Sequence, residues 1–144
     1  MSTTGLLVVV GTLLAATVVG LVLKARNGRV RAARSGPGGA GGWALAGRSP
    51  AEQDRVLLLQ VSSPVCAPCR QTATLLTELA AGIPELVHVE VDAAERPEVA
   101  GDLGIMRTPT VVAFDRSGAE LLRVSGVPRL RDLETALAPA LGRA

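Results

Sequence analysis

The sequence contains no tyrosine, one tryptophan (Trp43), one phenylalanine (Phe114), one histidine (His88) and only two cysteines (Cys66 and Cys69) in 144 residues. Proteins that grip single-stranded nucleic acid stack its bases on aromatic side chains. Two aromatics cannot build such a platform, so nucleic acid is set aside as a partner. Two cysteines also exclude a multi-bridge disulfide scaffold. A closed zinc site needs four ligands. Beyond the cysteines the chain offers only His88 as an imidazole donor, so such a site would draw on carboxylates or a second chain. No bound cofactor is expected.

The formal charge of +2 is small but unevenly placed. Lys24, Arg26, Arg29, Arg31 and Arg34 form a basic cluster, whereas residues 48–144 hold more acids than bases. The cluster directly follows the stretch from Gly5 to Leu23, which carries no charge. As a helix at about 1.5 Å per residue, that stretch spans roughly 28 Å, close to the hydrocarbon thickness of a bilayer. It reads as a single transmembrane helix. A cleaved signal peptide wants basic residues before the apolar run, and Met1 to Thr4 have none. Basic residues after the span place residues 24–144 on the cytoplasmic side by the positive-inside rule. Thr12, Ala16 and Gly20 recur every four residues, a spacing common in any membrane helix, and the segment is read as a plain anchor.

The expected layout is therefore a tail at residues 1–4, a membrane span at 5–23, a basic then Gly-rich linker at 24–49, and a folded body at 50–144. The linker includes the run from Ser35 to Gly42, without apolar periodicity, and reads as a flexible tether that lets the body sample the membrane surface. Trp43 marks where order resumes. About 95 residues remain for the body, enough for one core and one site.

The body alternates strand and helix signals. Val56 to Val61 is a short apolar run suited to a buried strand. Cys66 to Ala81, with Leu75, Leu76 and Leu79, reads as a helix that stops near Gly82 and Pro84. A second strand follows at Leu86 to Val91, then a short helix over 95–103. Thr110 to Phe114 and Glu120 to Val124 form a hairpin, and Arg129 to Leu141 makes a last helix. The order βαβαββα makes the first two strands parallel neighbours through a right-handed crossover, with the hairpin adding antiparallel strands.

Cys66-Ala67-Pro68-Cys69 lies where the first of these strands turns into its helix. Residues three apart are neighbours on a helix, so the two sulfurs can close a disulfide with little backbone movement. The partial positive charge and free N–H groups of a helix N-terminus stabilise a thiolate, which makes Cys66 the expected nucleophile. Pro68 falls in the first turn, where a missing N–H is harmless. Cys69, one turn in, is suited to resolving a mixed disulfide. A four-residue loop constrains the unfolded chain too little for a purely structural bridge.

Three landmarks in order carry a family resemblance. Cys66-Ala67-Pro68-Cys69-Arg70 resembles Cys-Gly-Pro-Cys-Lys of the thioredoxin family; Gly104-Ile105 to Thr108-Pro109-Thr110 resembles its Gly-Ile…Pro-Thr segment; Ser125-Gly126 resembles the glycine after its last strand. The resemblance covers about Val56 to Leu141 and implies a minimal thioredoxin fold, a central mixed sheet flanked by helices. It implies a cis Pro109 packed against the cysteine pair, with Thr108 offering its backbone to an extended substrate. Val65, Ala67, Pro68, Thr108 and Pro109 would then form the substrate-binding rim. Val65 stands where the family usually has Trp. Gln60 stands where its buried Asp assists proton transfer, and His88 aligns with that residue's Lys partner. Gln cannot act as a base, which leaves His88 as the candidate relay.

The function expected is a thiol–disulfide oxidoreductase that reduces disulfides of partner proteins at the membrane surface. The resemblance implies that an NADPH-dependent thioredoxin reductase would recharge it if the body faces the cytoplasm. Two competing readings stay open: a tethered scaffold that binds a partner or a metal without turnover, and an exported oxidising or cytochrome-maturation role if the topology is reversed.

Overall fold

The computed structural model describes residues 3–33 and 41–143. Helix α1, Thr3–Arg26, carries the apolar run, none of it buried, and is long and apolar enough to cross a membrane. Then come strand β1 (Val30–Ala32), helix α2 (Gly42–Leu45), strand β2 (Val56–Ser62), helix α3 (Ala67–Gly82) and strand β3 (Leu86–Asp92). Helix α4 (Pro97–Asp102), strands β4 (Thr110–Asp115) and β5 (Glu120–Ser125) and helix α5 (Leu130–Leu137) complete the chain.

The strands make one sheet in the order β1-β5-β4-β2-β3. β2 and β3 are parallel, and every other pairing is antiparallel. The α/β class and mixed sheet are those expected.

β2 shows why the sheet needs helices on both faces. All seven of its residues are buried, and successive side chains of a strand point to opposite faces. Val56 and Leu58 enter a core with Leu76 and Leu79 of α3 and Leu133 and Leu137 of α5. Leu57, Leu59 and Val61 enter a second core with Trp43, Val99 and Phe114. Gln60 and Ser62 continue the row begun by Val56 and Leu58, so the α3 face of β2 changes from apolar to polar as it nears the cysteines.

The segment expected to be a tether differs. Val30–Ala32 is a strand, paired in register with Leu122–Val124 of β5. Only residues 27–29 separate α1 from the sheet. Gly28 makes the return, at φ +74, a conformation that costs glycine least, and its N–H donates to the Ser125 carbonyl at 2.8 Å. Three residues have little strand propensity of their own; the open backbone edge of β5 supplies their partners. The core of the Gly-rich run, residues 34–40, lies outside the described residues. Helix α2 begins at Gly42, where Trp43 is 5% exposed and its Nε1 donates to the Asp115 carbonyl at 2.8 Å.

Candidate active site

The site is assembled at one end of the sheet. β2 ends at Ser62, and Ser63-Pro64-Val65 turns the chain into α3. Cys66 is the N-cap of that helix, with extended backbone, and its Sγ accepts a hydrogen bond from the Cys69 N–H at 3.2 Å. Pro68 occupies the first turn. Cys66 and Cys69 form a disulfide with their Cα atoms 5.2 Å apart. Their surroundings differ sharply. Cys69 is 2% exposed, whereas Cys66 is half-buried and Ala67 and Pro68 are open to solvent.

The Thr108–Pro109 peptide is cis. The antiparallel register sets Thr110 opposite Val61, so this peptide arrives at the same end of the sheet as the cysteines. The Thr108 hydroxyl lies 3.0 Å from that of Ser63, tying the proline loop to the loop that leads into Cys66. Pro109 is buried, and its carbonyl accepts from the Gly126 N–H at 2.7 Å. Val65 is 96% exposed. So is Met106 in the proline loop, at 95%, a residue the sequence reading passed over. Its signal was an apolar side chain two positions before Thr108 with no periodic partner.

Beneath Cys69 lies a polar network. Gln60 is fully buried, and its Nε2 donates to the Cys69 carbonyl at 3.0 Å, to Ser62 Oγ at 2.8 Å and to Glu90 Oε1 at 3.1 Å. The Ser62 hydroxyl donates to the same Glu90 oxygen at 2.5 Å. On the other side, His88 Nε2 lies 3.2 Å from Gln60 Oε1, and His88 Nδ1 lies 3.3 Å from the Thr77 hydroxyl. A neutral imidazole with its proton on Nε2 satisfies both contacts. Burial lowers the pKa of His88, against an opposing pull from the Glu90 carboxylate.

The strand register shows how these side chains meet. Gln60 faces Glu90 across the parallel pair, and His88 faces Leu58. His88 reaches Gln60 only diagonally. Glu90 and Ser62 were therefore missed. The signal was present: Gln60 and Ser62, like His88 and Glu90, are two apart and share a face once the strands are paired. Among the described residues no group of three or more His, Cys, Asp or Glu side chains converges to hold a metal ion.

Residues 49–138 match the family model for thioredoxin. The chain belongs to the thioredoxin family. Among similar thioredoxins is H5 of Oryza sativa subsp. japonica, 34% identical over 76 residues, which are 53% of this chain and 56% of the rice protein. The chain thus spans little more than half the length of that relative. The thioredoxin of Alicyclobacillus acidocaldarius is 32% identical over 89 residues, 61% of this chain and 84% of that protein. The X-ray structure of Fasciola hepatica thioredoxin superposes with a TM-score of 0.55 at 28% identity, covering 62% of this chain and 85% of the other. The thioredoxin fold, with its mixed sheet and flanking helices, is thereby shown.

Proposed function

We propose that this thioredoxin-family protein is a thiol–disulfide oxidoreductase that reduces disulfides of partner proteins at a membrane surface. The observation that carries the reading is the asymmetry of the pair: Cys66 caps α3 and accepts its N–H, while Cys69 is closed off one turn in. In the reduced form, the N-terminus of α3 stabilises a Cys66 thiolate. That thiolate attacks one sulfur of a partner disulfide; a mixed disulfide forms and the partner's other sulfur leaves as a thiolate. Cys69 then gives up its proton and attacks Cys66 Sγ. The Cys66–Cys69 bond closes, and the second partner thiolate departs. Two electrons have passed to the partner. A dithiol donor returns them, the role proposed for an NADPH-dependent thioredoxin reductase.

Thr108 and Pro109 present backbone to an extended partner segment, flanked by Ala67, Pro68 and the exposed Val65 and Met106. Gln60 holds the Cys69 carbonyl and cannot itself take a proton. Glu90, joined to Gln60 and Ser62 at the edge of this network, is the carboxylate that takes up the Cys69 proton. His88 positions Gln60 through its Oε1 rather than relaying the proton itself.

In this reading α1 anchors the protein, and the basic residues after it favour a cytoplasmic position for the thioredoxin domain, residues 50–144 with β1 added at the sheet edge. Two measurements test the reading. The full chain in detergent is expected to reduce insulin disulfides with dithiothreitol as donor, and Cys66→Ser to abolish turnover; equal rates for both would end the catalytic reading. Membrane-impermeant thiol labelling of intact, reductant-treated cells is expected to leave Cys66 unmodified until the membrane is opened. Prompt labelling would reverse the topology and favour an exported role.

A further inference from the structure

Where α1 meets the body, side chains from three separate parts of the chain line one open cleft of about 560 Å³. Leu23, Lys24, Arg26 and Asn27 come from the end of the helix and its turn, Arg31 from β1, and Arg107 and Ser125 from the proline loop and the end of β5 at the active-site end of the sheet. Four of these seven residues are cationic and none is acidic. All four cations are exposed. The ion pairs among the described residues are Arg96–Glu98 and Arg123–Glu120, so this group has no carboxylate to balance it. Arg107 is nevertheless held in place: its Nη2 donates to Asn27 Oδ1 at 3.0 Å and to the Ser125 carbonyl at 3.3 Å.

Uncompensated like charge around a concave surface concentrates anions. The position of the cleft selects among them. Leu23 is the last residue of the uncharged run, and the cations begin at the next position. In a helix that spans a bilayer, that is the level of the lipid headgroups. Guanidinium groups suit phosphate oxygens, which they can engage through paired N–H donors.

We infer that this cleft binds the phosphodiester headgroup of an anionic phospholipid, with Arg31 and Arg107 as its body-side ligands and Lys24 and Arg26 as its helix-side ligands. The inference rests on the proposed membrane anchoring. It goes beyond it by assigning a lipid contact to the thioredoxin domain itself. Arg107 directly precedes Thr108, so a bound headgroup fixes how the proline loop and the cysteine pair face the membrane.

The test uses the full chain in neutral detergent, titrated with phosphatidylglycerol, phosphatidylcholine or inorganic phosphate, with lipid-bound protein counted by native mass spectrometry. Phosphatidylglycerol is expected to bind more tightly than phosphatidylcholine. Each body-side arginine replaced by alanine is expected to weaken it about five-fold, and the pair roughly thirty-fold, from the usual worth of a basic residue at an anionic surface. Arg107→Lys, which keeps the charge, is expected to retain most of the preference and so separates lost charge from lost folding. Equal binding of the two lipids, or an unchanged preference in Arg31→Ala/Arg107→Ala, would overturn the inference. Displacement of phosphatidylglycerol by millimolar inorganic phosphate would overturn the lipid as the source of the phosphate. Alkaline carbonate washing of native membranes tests anchoring separately: protein released by the wash defeats the anchor, whereas protein that stays without lipid preference defeats only the headgroup site.

Discussion

At the level of single residues, the cysteine pair was legible because its chemistry is local. Cys66 and Cys69 need only a helix start and a spacing of three, and both are written in consecutive residues. Gln60 and His88 were also picked out, but their relation to Glu90 was not, because it depends on which residue of β3 lies across from Gln60. Strand register is a tertiary property, and a shift of one residue reverses every side chain. On the proposed role of Glu90 as proton acceptor, Glu90→Gln is expected to slow the resolving attack by Cys69 on the order of 10²-fold near pH 7. The deficit should shrink as pH rises toward 9, where hydroxide removes the thiol proton unaided. Rapid-mixing release of product from a trapped mixed disulfide reads this directly, and a pH-independent deficit would reduce Glu90 to a structural part. His88 makes a separate prediction. Its pKa is lower in the folded protein than the ordinary 6.5, so the unfolded chain binds more protons between those two values. Stability is then full above about pH 6.5 and falls as pH drops toward the lowered value. Urea unfolding midpoints at pH 7.5 and 5.5 should differ more for the native sequence than for His88→Gln.

Elements with strong periodicity or a continuous apolar run were readable: β2, α3, β3, the β4–β5 hairpin and α5 all lie within a few residues of their expected bounds. β1 and α2 were not. Their three and four residues carry no pattern of their own and exist because something else is unsatisfied, the edge of β5 in one case and the Phe114 side of the sheet in the other. Gly42 shows how close the second contact is. A Cβ built there would sit 2.1 Å from Phe114 Cγ. Gly42→Ala is therefore expected to destabilise the domain by about 1–3 kcal/mol through overpacking. Calorimetry of the full chain in detergent should show a lowered Tm for the domain. An unchanged Tm would mean that α2 does not hold its position against Phe114.

For the molecule as a whole, the join between α1 and the domain is the largest departure from what the sequence suggested. The Gly-rich run is not interposed between them; it follows β1 and precedes α2. What does separate them, residues 27–29, can extend over at most about 11 Å. The domain is thus held close to the end of its helix, and this closeness brings Arg31 and Arg107 up to Lys24 and Arg26. The composition of residues 24–49 pointed to a loose connection because composition reports local preference, whereas β1 is held by hydrogen bonds to residues 90 to 94 positions away. The same strand bears on how a water-soluble form should be cut. Among the described residues β1 is the only partner of β5 on its outer side, so a fragment beginning at Gly41 leaves Glu120–Ser125 as a bare edge with unpaired backbone donors and acceptors. Such edges recruit other chains. Sedimentation of the two fragments should find the one starting at Gly41 self-associating at concentrations where one starting at Asn27 is monomeric, so the short strand acts as a built-in guard against aggregation as well as a link to α1.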